Sequence, residues 1–204
     1  MTISLSDLGK RFNYDWIFRH VNYQFESNSV YAITGSNGSG KSTFLRCLAG
    51  VLEPTDGEVL RIGSLAALLT HGFGAYEDLP VRSNLILAQQ LAGASLRDAC
   101  ERLPRVAASA ELSDRLYSPT SHLSEGMRAK IGLAALAHTP FQVALLDESL
   151  NHVDADFREL FFQLTRKWIA EGRSLVMTSH DENLLKRFAT RSLRFLHRGL
   201  VELE

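Results

Sequence analysis

Short apolar runs recur along the chain and predict the strands of a buried sheet. They occupy residues 30–34, 65–69, 141–146 and 174–178. Runs of this length without alternation are typical of strands covered on both faces. Residues 2–8 and 21–26 instead alternate between apolar and polar side chains, which predicts half-exposed antiparallel strands. Shorter strands are predicted at 58–62, after the turn at 53–57, and near 192–196 and 199–203.

Apolar residues at helical spacing fill the stretches between these strands. Residues 42–49 carry Phe44, Leu45 and Leu48 on one face and end at Gly50, a predicted C-cap. Residues 154–171 form an amphipathic stripe, and Ser124 is the predicted N-cap of a helix that runs to about residue 138. Residues 83–117 predict helical pieces broken near Gly93 and Pro104. The whole pattern predicts one α/β domain over residues 1–204, with an inserted helical subdomain at approximately 83–138.

A glycine-rich loop between the strand at 30–34 and the following helix matches the phosphate-loop pattern G-x-x-x-x-G-K-[ST]. It comprises Gly35, Ser36, Asn37, Gly38, Ser39, Gly40, Lys41, Ser42 and Thr43. Glycines let successive backbone N–H groups face a phosphate, and the helix N-terminus adds a partial positive charge. Lys41 is placed to reach the β- and γ-phosphates of ATP, and the Ser42 hydroxyl to ligate Mg²⁺. The alternative, a surface turn that matches by chance, does not explain the strand and helix on either side.

Two further polar features follow predicted buried strands. Asp147 and Glu148 come after the strand at 141–146, and His180 comes after the strand at 174–178. Ligands of an open parallel sheet lie beyond the carboxyl ends of its strands, so these side chains are expected near the phosphate loop. One carboxylate is suited to hold Mg²⁺ and the other to activate water, while His180 is suited to contact the γ-phosphate. Alone, each has a simpler interpretation as a solvated strand end or a loop histidine.

The composition narrows the function classes. Net charge is −1, so no nucleic-acid partner is expected. No apolar run approaches the ~18–20 residues that span a bilayer, so direct membrane insertion is not expected. Cys47 and Cys100 follow no disulfide or metal pattern, which favours free thiols in a reducing compartment. We therefore expect a cytoplasmic protein.

Over nearly its whole length the sequence resembles the nucleotide-binding subunit of an ATP-binding-cassette (ABC) transporter. Residues 35–43 match Walker A, residues 143–147 match Walker B, and residues 149–154 match the D-loop that ends at Asp154. The signature, L-S-G-G-Q in the family, matches Leu123, Ser124, Glu125, Gly126 and Met127. The implied fold is a P-loop NTPase of the ABC-ATPase type, with a RecA-like core, an N-terminal antiparallel β subdomain and an inserted helical signature subdomain.

The resemblance also implies roles for single residues. Glu148 takes the place of the catalytic glutamate, His180 that of the switch histidine, and Phe12 that of the aromatic ring that stacks on adenine. The residues themselves leave open which ring of the cluster Phe12, Tyr14, Trp16 and Phe18 would stack. Family members work as dimers that sandwich two ATP molecules, each bound by one chain's Walker A and the other's signature. The implied partners are a second copy of this chain and a separate membrane-spanning permease, with the ATPase peripheral on the inner face of the membrane.

Several positions depart from the family pattern. Met127 replaces the signature glutamine, Ser149 replaces the proline that commonly follows the catalytic glutamate, and Asn151 and His152 are unusual in the D-loop. The loop that normally supplies a glutamine to Mg²⁺ offers His71 or Thr70 instead, and neither is assigned as a ligand. Slow or differently coupled hydrolysis is one expected consequence.

The departures favour a subfamily. Residues 62–69 followed by Gly72 and Gly74, together with residues 126–130 and 147–150, resemble the loop motifs of polysaccharide and teichoic-acid exporters. The resemblance predicts that the loop 70–79 is the docking face for the permease. The compact length is also similar to the haem exporter of cytochrome c maturation, which is the alternative substrate class. A P-loop small-molecule kinase is an alternative of a different class, although it would have no use for residues 123–127 or His180.

Overall fold

The fold is described from a computed structural model that defines residues 3–69, 75–147, 153–178, 189–196 and 199–203. Its strands are β1 (Ile3–Phe12), β2 (Asp15–Phe25), β3 (Val30–Thr34), β4 (Asp56–Arg61), β5 (Leu65–Leu68), β6 (Val143–Asp147), β7 (Ser174–Thr178), β8 (Arg191–Leu196) and β9 (Gly199–Leu203). Its α-helices are α1 (Lys41–Ala49), α2 (Val81–Leu91), α3 (Leu96–Ser109), α4 (Glu125–His138) and α5 (Ala155–Ala170).

The strands form two sheets of different character. A three-stranded antiparallel sheet has the order β2-β1-β4, and a six-stranded sheet has the order β5-β6-β7-β3-β8-β9. The larger sheet is parallel from β5 to β8, and β9 pairs antiparallel with β8. β3 and β7 are buried at every position, as expected of central strands covered on both faces.

Three hydrophobic cores hold these elements together. The first packs α1 and the inner faces of both sheets around Phe18, Phe44 and Phe195, whose rings meet at centroid distances of 5.2–5.6 Å. The second packs α5 and one face of α4 on the opposite side of the large sheet, around Phe161 and Trp168. The third is built mainly from α2, α3 and the other face of α4.

The fold class predicted from the sequence is confirmed, with three corrections to its elements. β6 begins at Val143 and not at residue 141, although Phe141 is buried against the ring of Trp168. β4 begins at Asp56, inside the predicted turn, because Asp56 already pairs with Gly9 of β1. The third correction concerns Pro104.

Pro104 does not break its helix, contrary to the prediction. α3 runs without interruption from Leu96 to Ser109, and Pro104 lies on its exposed side. The proline removes the N–H that would bond the carbonyl of Cys100, which also lies on the exposed side. Water can therefore satisfy that carbonyl, and the apolar face of α3 keeps the helix in place through its packing.

Candidate nucleotide-binding site

The strand order of the large sheet brings Asp147 and the phosphate loop to the same end of the sheet. β3 lies beside β7, and β7 lies beside β6, all three parallel. Their carboxyl ends therefore meet, and Ile33, Thr178 and Asp147 are aligned in register across the three strands. The phosphate loop leaves β3 one residue after Thr34. Asp147 and the phosphate loop are thus neighbours although they are more than 100 positions apart in sequence.

The Lys41 side chain is held by the loop it belongs to. Its Nζ donates hydrogen bonds to the carbonyls of Gly35 (2.8 Å) and Ser36 (3.0 Å), and the side chain is buried. The backbone of Ser39 closes the loop by donating to the Ser36 carbonyl at 3.2 Å. The ammonium group thus lies beside the first two residues of the loop, and a phosphate bound in the loop would gain a charge-assisted contact with it.

Gly40 is required by close packing as well as by its conformation. Its φ of 105° lies in the left-handed region, and an added Cβ would lie 2.5 Å from Cγ2 of Ile17 on β2 and 3.2 Å from the ring of Phe195 on β8. The phosphate loop therefore packs at Gly40 against both the small sheet and the large one. Gly38, also at positive φ, faces open space instead.

The N-terminus of α1 is open toward a ligand. Gly40 is its N-cap and contributes no side-chain hydrogen bond, so the first-turn N–H groups keep their donor capacity for an anion. Ser39 Oγ is buried and has no hydrogen-bond partner among the described residues. The open N-terminus and the buried Ser39 hydroxyl fit a bound nucleoside triphosphate. At the other end of α1, the Arg61 guanidinium donates to the carbonyls of Leu48 and Cys47, both at 2.6 Å.

Asp147 is oriented by a side chain that the sequence did not single out. The Thr178 hydroxyl, at the end of β7, donates a 2.6 Å hydrogen bond to Oδ1 of Asp147. This bond holds the carboxylate at the carboxyl end of β6 and β7, the end of a parallel sheet at which ligands bind. The signal was present in the sequence, because Thr178 ends the apolar run next to β6 in the parallel order, but the neighbouring strand could not be known in advance.

The signature segment begins α4 as predicted. Ser124 is the N-cap with φ −65° and ψ 161°, and its Oγ accepts a hydrogen bond from the Met127 backbone at 3.3 Å. Leu123 is buried in the helical core, whereas Ser124 and Glu125 are exposed, and Gly126 is half-buried. The start of α4 is therefore anchored by Leu123 and presents its N-terminus to the surface.

Asp154 has a structural role in addition to its predicted place in the site. Its Oδ1 caps α5 by accepting from the Phe157 backbone at 2.8 Å, and its Oδ2 lies 2.7 Å from Nζ of Lys130 on α4. Lys130 also bonds Glu111 at 2.6 Å. Burial opposes the charged form of Lys130, but the hydrogen bonds to Asp154 and Glu111 outweigh it and raise the lysine pKa. The same contact with Lys130, followed by the Phe157 hydrogen bond, lowers the pKa of Asp154.

The aromatic cluster divides between the core and the surface. Phe18 is fully buried, so it cannot stack on a base, and Tyr14 is 94% exposed at the β1–β2 turn. Trp16 is flanked by the guanidinium groups of Arg19 and Arg11, at 4.2 and 5.4 Å from its ring. Phe12 is 48% exposed, with Lys10 Nζ 5.3 Å from its ring centroid.

Several predicted site residues lie outside the described part of the chain. They are Thr70, His71, Gly72, Gly74, Glu148, Ser149, Asn151, His152 and His180. Glu148 directly follows the end of β6, and His180 lies two residues beyond the end of β7. Their assignments as catalytic glutamate and switch histidine stay predictions.

Comparison with known proteins identifies the family. The family model described as ABC transporter matches residues 18–151, about two thirds of the chain. The chain belongs to the ABC transporter family. It is an ATP-binding, ATP-hydrolysing domain of that family, which sets aside the small-molecule kinase. Within the described ranges, none of the helices of this ABC ATPase is long and apolar enough to cross a membrane.

Relatives of this ABC ATPase include export proteins of two kinds. It is 32% identical over 182 residues to the O-antigen export system ATP-binding protein RfbE of Yersinia enterocolitica, covering 89% of this chain and 76% of that protein. It is 28% identical over 186 residues to the teichoic acids export ATP-binding protein TagH of Listeria monocytogenes, covering 91% of this chain and 55% of the relative. A solved ATP-binding subunit of an ABC transporter superposes with a TM-score of 0.85 at 22% identity, over 100% of this chain and 90% of that one.

Proposed function

We propose that this chain is the ATPase subunit of an exporter of a cell-surface polysaccharide or similar polymer. The similarity to the O-antigen export protein over 89% of the chain carries the proposal, and the similarity to the teichoic-acid exporter supports it. These relatives do not favour the haem-export alternative. Residues 1–204 are proposed to act as one ATP-binding domain, with residues 83–138 as its helical subdomain.

The residues proposed to hold ATP are those of the Walker A match, and the geometry of the loop supports the proposal. The N–H groups of residues 35–43 and the N-terminus of α1 would face the phosphates. Lys41, whose Nζ bonds the carbonyls of Gly35 and Ser36, would contact them as well. The open N-terminus of α1 supports this assignment. Phe12 is assigned to stack on the base, as the family resemblance implies, and its part-exposed ring is accessible for that contact.

Catalysis is assigned to Ser42, Asp147, Glu148 and His180, as the family resemblance implies. Ser42 and Asp147 would hold Mg²⁺, which neutralises charge that develops on the phosphates. Thr178 keeps the Asp147 carboxylate in position for this role. Glu148 accepts a proton from the attacking water, and His180 stabilises the γ-phosphate.

A second copy of the chain completes each site. In the proposed homodimer, Leu123, Ser124, Glu125, Gly126 and Met127 of one copy face the ATP held by the other. At the exposed start of α4 the Ser124 hydroxyl accepts the Met127 N–H, and the other first-turn N–H groups are proposed to face the γ-phosphate. Asp154 lies at the D-loop end of the same interface. A separate permease on the membrane would bind the loop 70–79, and the ATPase would sit on the inner face of the membrane.

The first test is Glu148→Gln. The variant is expected to bind ATP with wild-type affinity, to lose about 10²–10⁴ in turnover, and to accumulate as a dimer in ATP, because the nucleotide that joins the copies is not cleaved. Turnover is measured by phosphate release, and dimer formation by light scattering. Glu58→Gln, at an exposed position of β4, is the matched control. Unchanged turnover in Glu148→Gln rejects the assignment.

The substrate class is tested in the cell. Deleting the gene is expected to remove a surface polymer while c-type cytochromes remain. Intact polymer with lost c-type cytochromes would support haem export instead. Restoration of the polymer by wild-type protein, but not by Lys41→Ala, links the phenotype to ATP use.

A further inference from the structure

Hydrogen bonds join the segment before α2 to residues 116–121, which precede the signature. The Ser121 backbone donates to the carbonyl of Glu77 at 3.1 Å. Thr120 donates to the carbonyl of Leu79 twice, from its backbone at 3.1 Å and from its hydroxyl at 2.7 Å. The Val81 backbone continues the pairing by donating to Ser118 at 3.0 Å. Residues 77–82 and residues 116–121 are therefore joined by hydrogen bonds along both segments.

The buried side-chain amide of Asn84 stabilises this pairing through hydrogen bonds to both segments. Asn84 is 1% exposed, and its Oδ1 accepts from the Tyr76 backbone at 2.8 Å. Its Nδ2 donates to the Tyr76 carbonyl at 2.8 Å and to Thr120 Oγ1 at 2.7 Å. Buried amides that are satisfied in this way fix local geometry, because breaking any one bond leaves a desolvated polar group.

The Glu77 side chain contacts the other end of the signature. Its Oε1 lies 2.7 Å from Nη1 of Arg128, the residue directly after Met127. The Arg128 side chain is 23% exposed and that of Glu77 63% exposed. One residue thus contacts both flanks of the signature, its carbonyl bonding Ser121 before it and its carboxylate bonding Arg128 after it.

We propose that Glu77 is a positioning residue that sets the placement of residues 123–127 and ties it to residues 75–79, the described end of the loop 70–79. The proposal rests on the function proposed above, in which the signature faces ATP on a second copy and the loop faces the permease. The Glu77 carboxylate is well exposed, so its ion pair with Arg128 is expected to contribute little to folding stability. The effect of the Glu77 carboxylate is therefore expected in assembly of the two-chain site and not in unfolding or in ATP binding by one chain.

The test compares Glu77→Ala with Glu101→Ala. Glu101 is the matched control, since it is also 63% exposed and pairs with an arginine, Arg97, at 3.0 Å, but on α3 away from the signature. Glu77→Ala is expected to lower kcat and ATP-dependent self-association about twofold to fivefold. ATP affinity of the single chain and the melting temperature are expected to match those of Glu101→Ala. If Glu77→Ala fails to fold, Glu77→Gln is measured in its place.

A double-mutant cycle with Arg128→Ala decides whether the pair acts as a unit. The double variant is expected to lose no more kcat than the more damaging single variant, because either change alone removes the contact. Additive losses, or wild-type kcat in Glu77→Ala, would overturn the role of Glu77 while leaving the ATPase function intact. A wild-type chain that neither hydrolyses ATP nor self-associates in ATP would overturn both proposals.

Discussion

At the scale of single residues, a side chain in the phosphate loop can be unfavourable in two ways: through backbone strain at positive φ and through overpacking. Gly38 and Gly40 allow the two free-energy costs to be measured separately. Both have positive φ, but only Gly40 faces side chains that a Cβ would strike. Gly38→Ala is expected to lower the free energy of unfolding by ~1 kcal/mol through backbone strain alone. Gly40→Ala is expected to cost a further ~1–3 kcal/mol because the new methyl group overpacks against Ile17. Urea unfolding measures both.

Ile17→Ala provides the control for that comparison. It removes the Cγ2 atom that a Cβ at position 40 would strike. In the double variant the overpacking cost of Gly40→Ala is expected to fall, leaving its strain cost. Equal losses for Gly38→Ala and Gly40→Ala would show that packing against β2 does not matter.

The aromatic rings offer a second residue-scale prediction. Base–aromatic stacking contributes ~1–3 kcal/mol, so Phe12→Ala is expected to weaken ATP binding about 5- to 150-fold. Tyr14→Ala is the control, because this ring is 94% exposed at the tip of the β1–β2 turn and is expected to leave affinity nearly unchanged. Fluorescence titration with a nucleotide analogue measures both. A larger loss for Tyr14→Ala, at equal stability, would identify that ring as the stacking partner.

At the scale of elements, the Lys130–Asp154 pair joins α4 to α5 and makes stability depend on pH. The pKa of Asp154 is lowered in the folded state, so its contribution is present above the unfolded value of ~3.9 and is lost as pH falls through the folded pKa. Asp154→Asn keeps a good N-cap but removes the charge. It is expected to flatten the decrease in unfolding free energy between about pH 5 and pH 2.

The matched control for this pH dependence is Asp156→Asn. It removes the same charge from the first turn of α5 but leaves the contact between Lys130 and Asp154 in place. Its acid unfolding profile is expected to follow that of the wild type. An Asp154→Asn profile parallel to the wild type would exclude the pair as the source.

Pro104 gives a prediction for α3 itself. Pro104→Ala restores one backbone donor and improves helix propensity on an exposed face. The variant is expected to raise the free energy of unfolding by ~2 kcal/mol, after allowance for the greater freedom of the unfolded chain. Thermal unfolding measures the change. A lowered melting temperature would mean that the proline relieves strain that α3 would otherwise carry.

At the scale of the whole molecule, the sequence predicted the features that are set by residues close together in the chain, such as strand bounds and helix caps. The continuous apolar runs gave β3 and β7 at the predicted bounds, and the Ser124 N-cap was predicted from residues 123–127 alone. Pro104 was misjudged because its effect depends on the packing of the opposite helix face. Thr178 and Lys130 were missed because their roles depend on which strand or helix lies alongside. The ion pair between Glu77 and Arg128 could not be predicted for the same reason, since the two residues are far apart in sequence.

α4 belongs to two of the three hydrophobic cores. Its Ile131 and Ala134 pack with α2 and α3, while Leu133 and Leu136 pack with α5 and the large sheet. In a hydrogen-exchange experiment, α2 and α3 can open without exposing the sheet, so their amides are expected to exchange as one group. The amides of α4 are expected to exchange more slowly than that group, because releasing them requires both cores to open. The helix that begins with the signature is thus expected to be the slow-exchanging element that joins the core of α2 and α3 to the core of α5 and the large sheet.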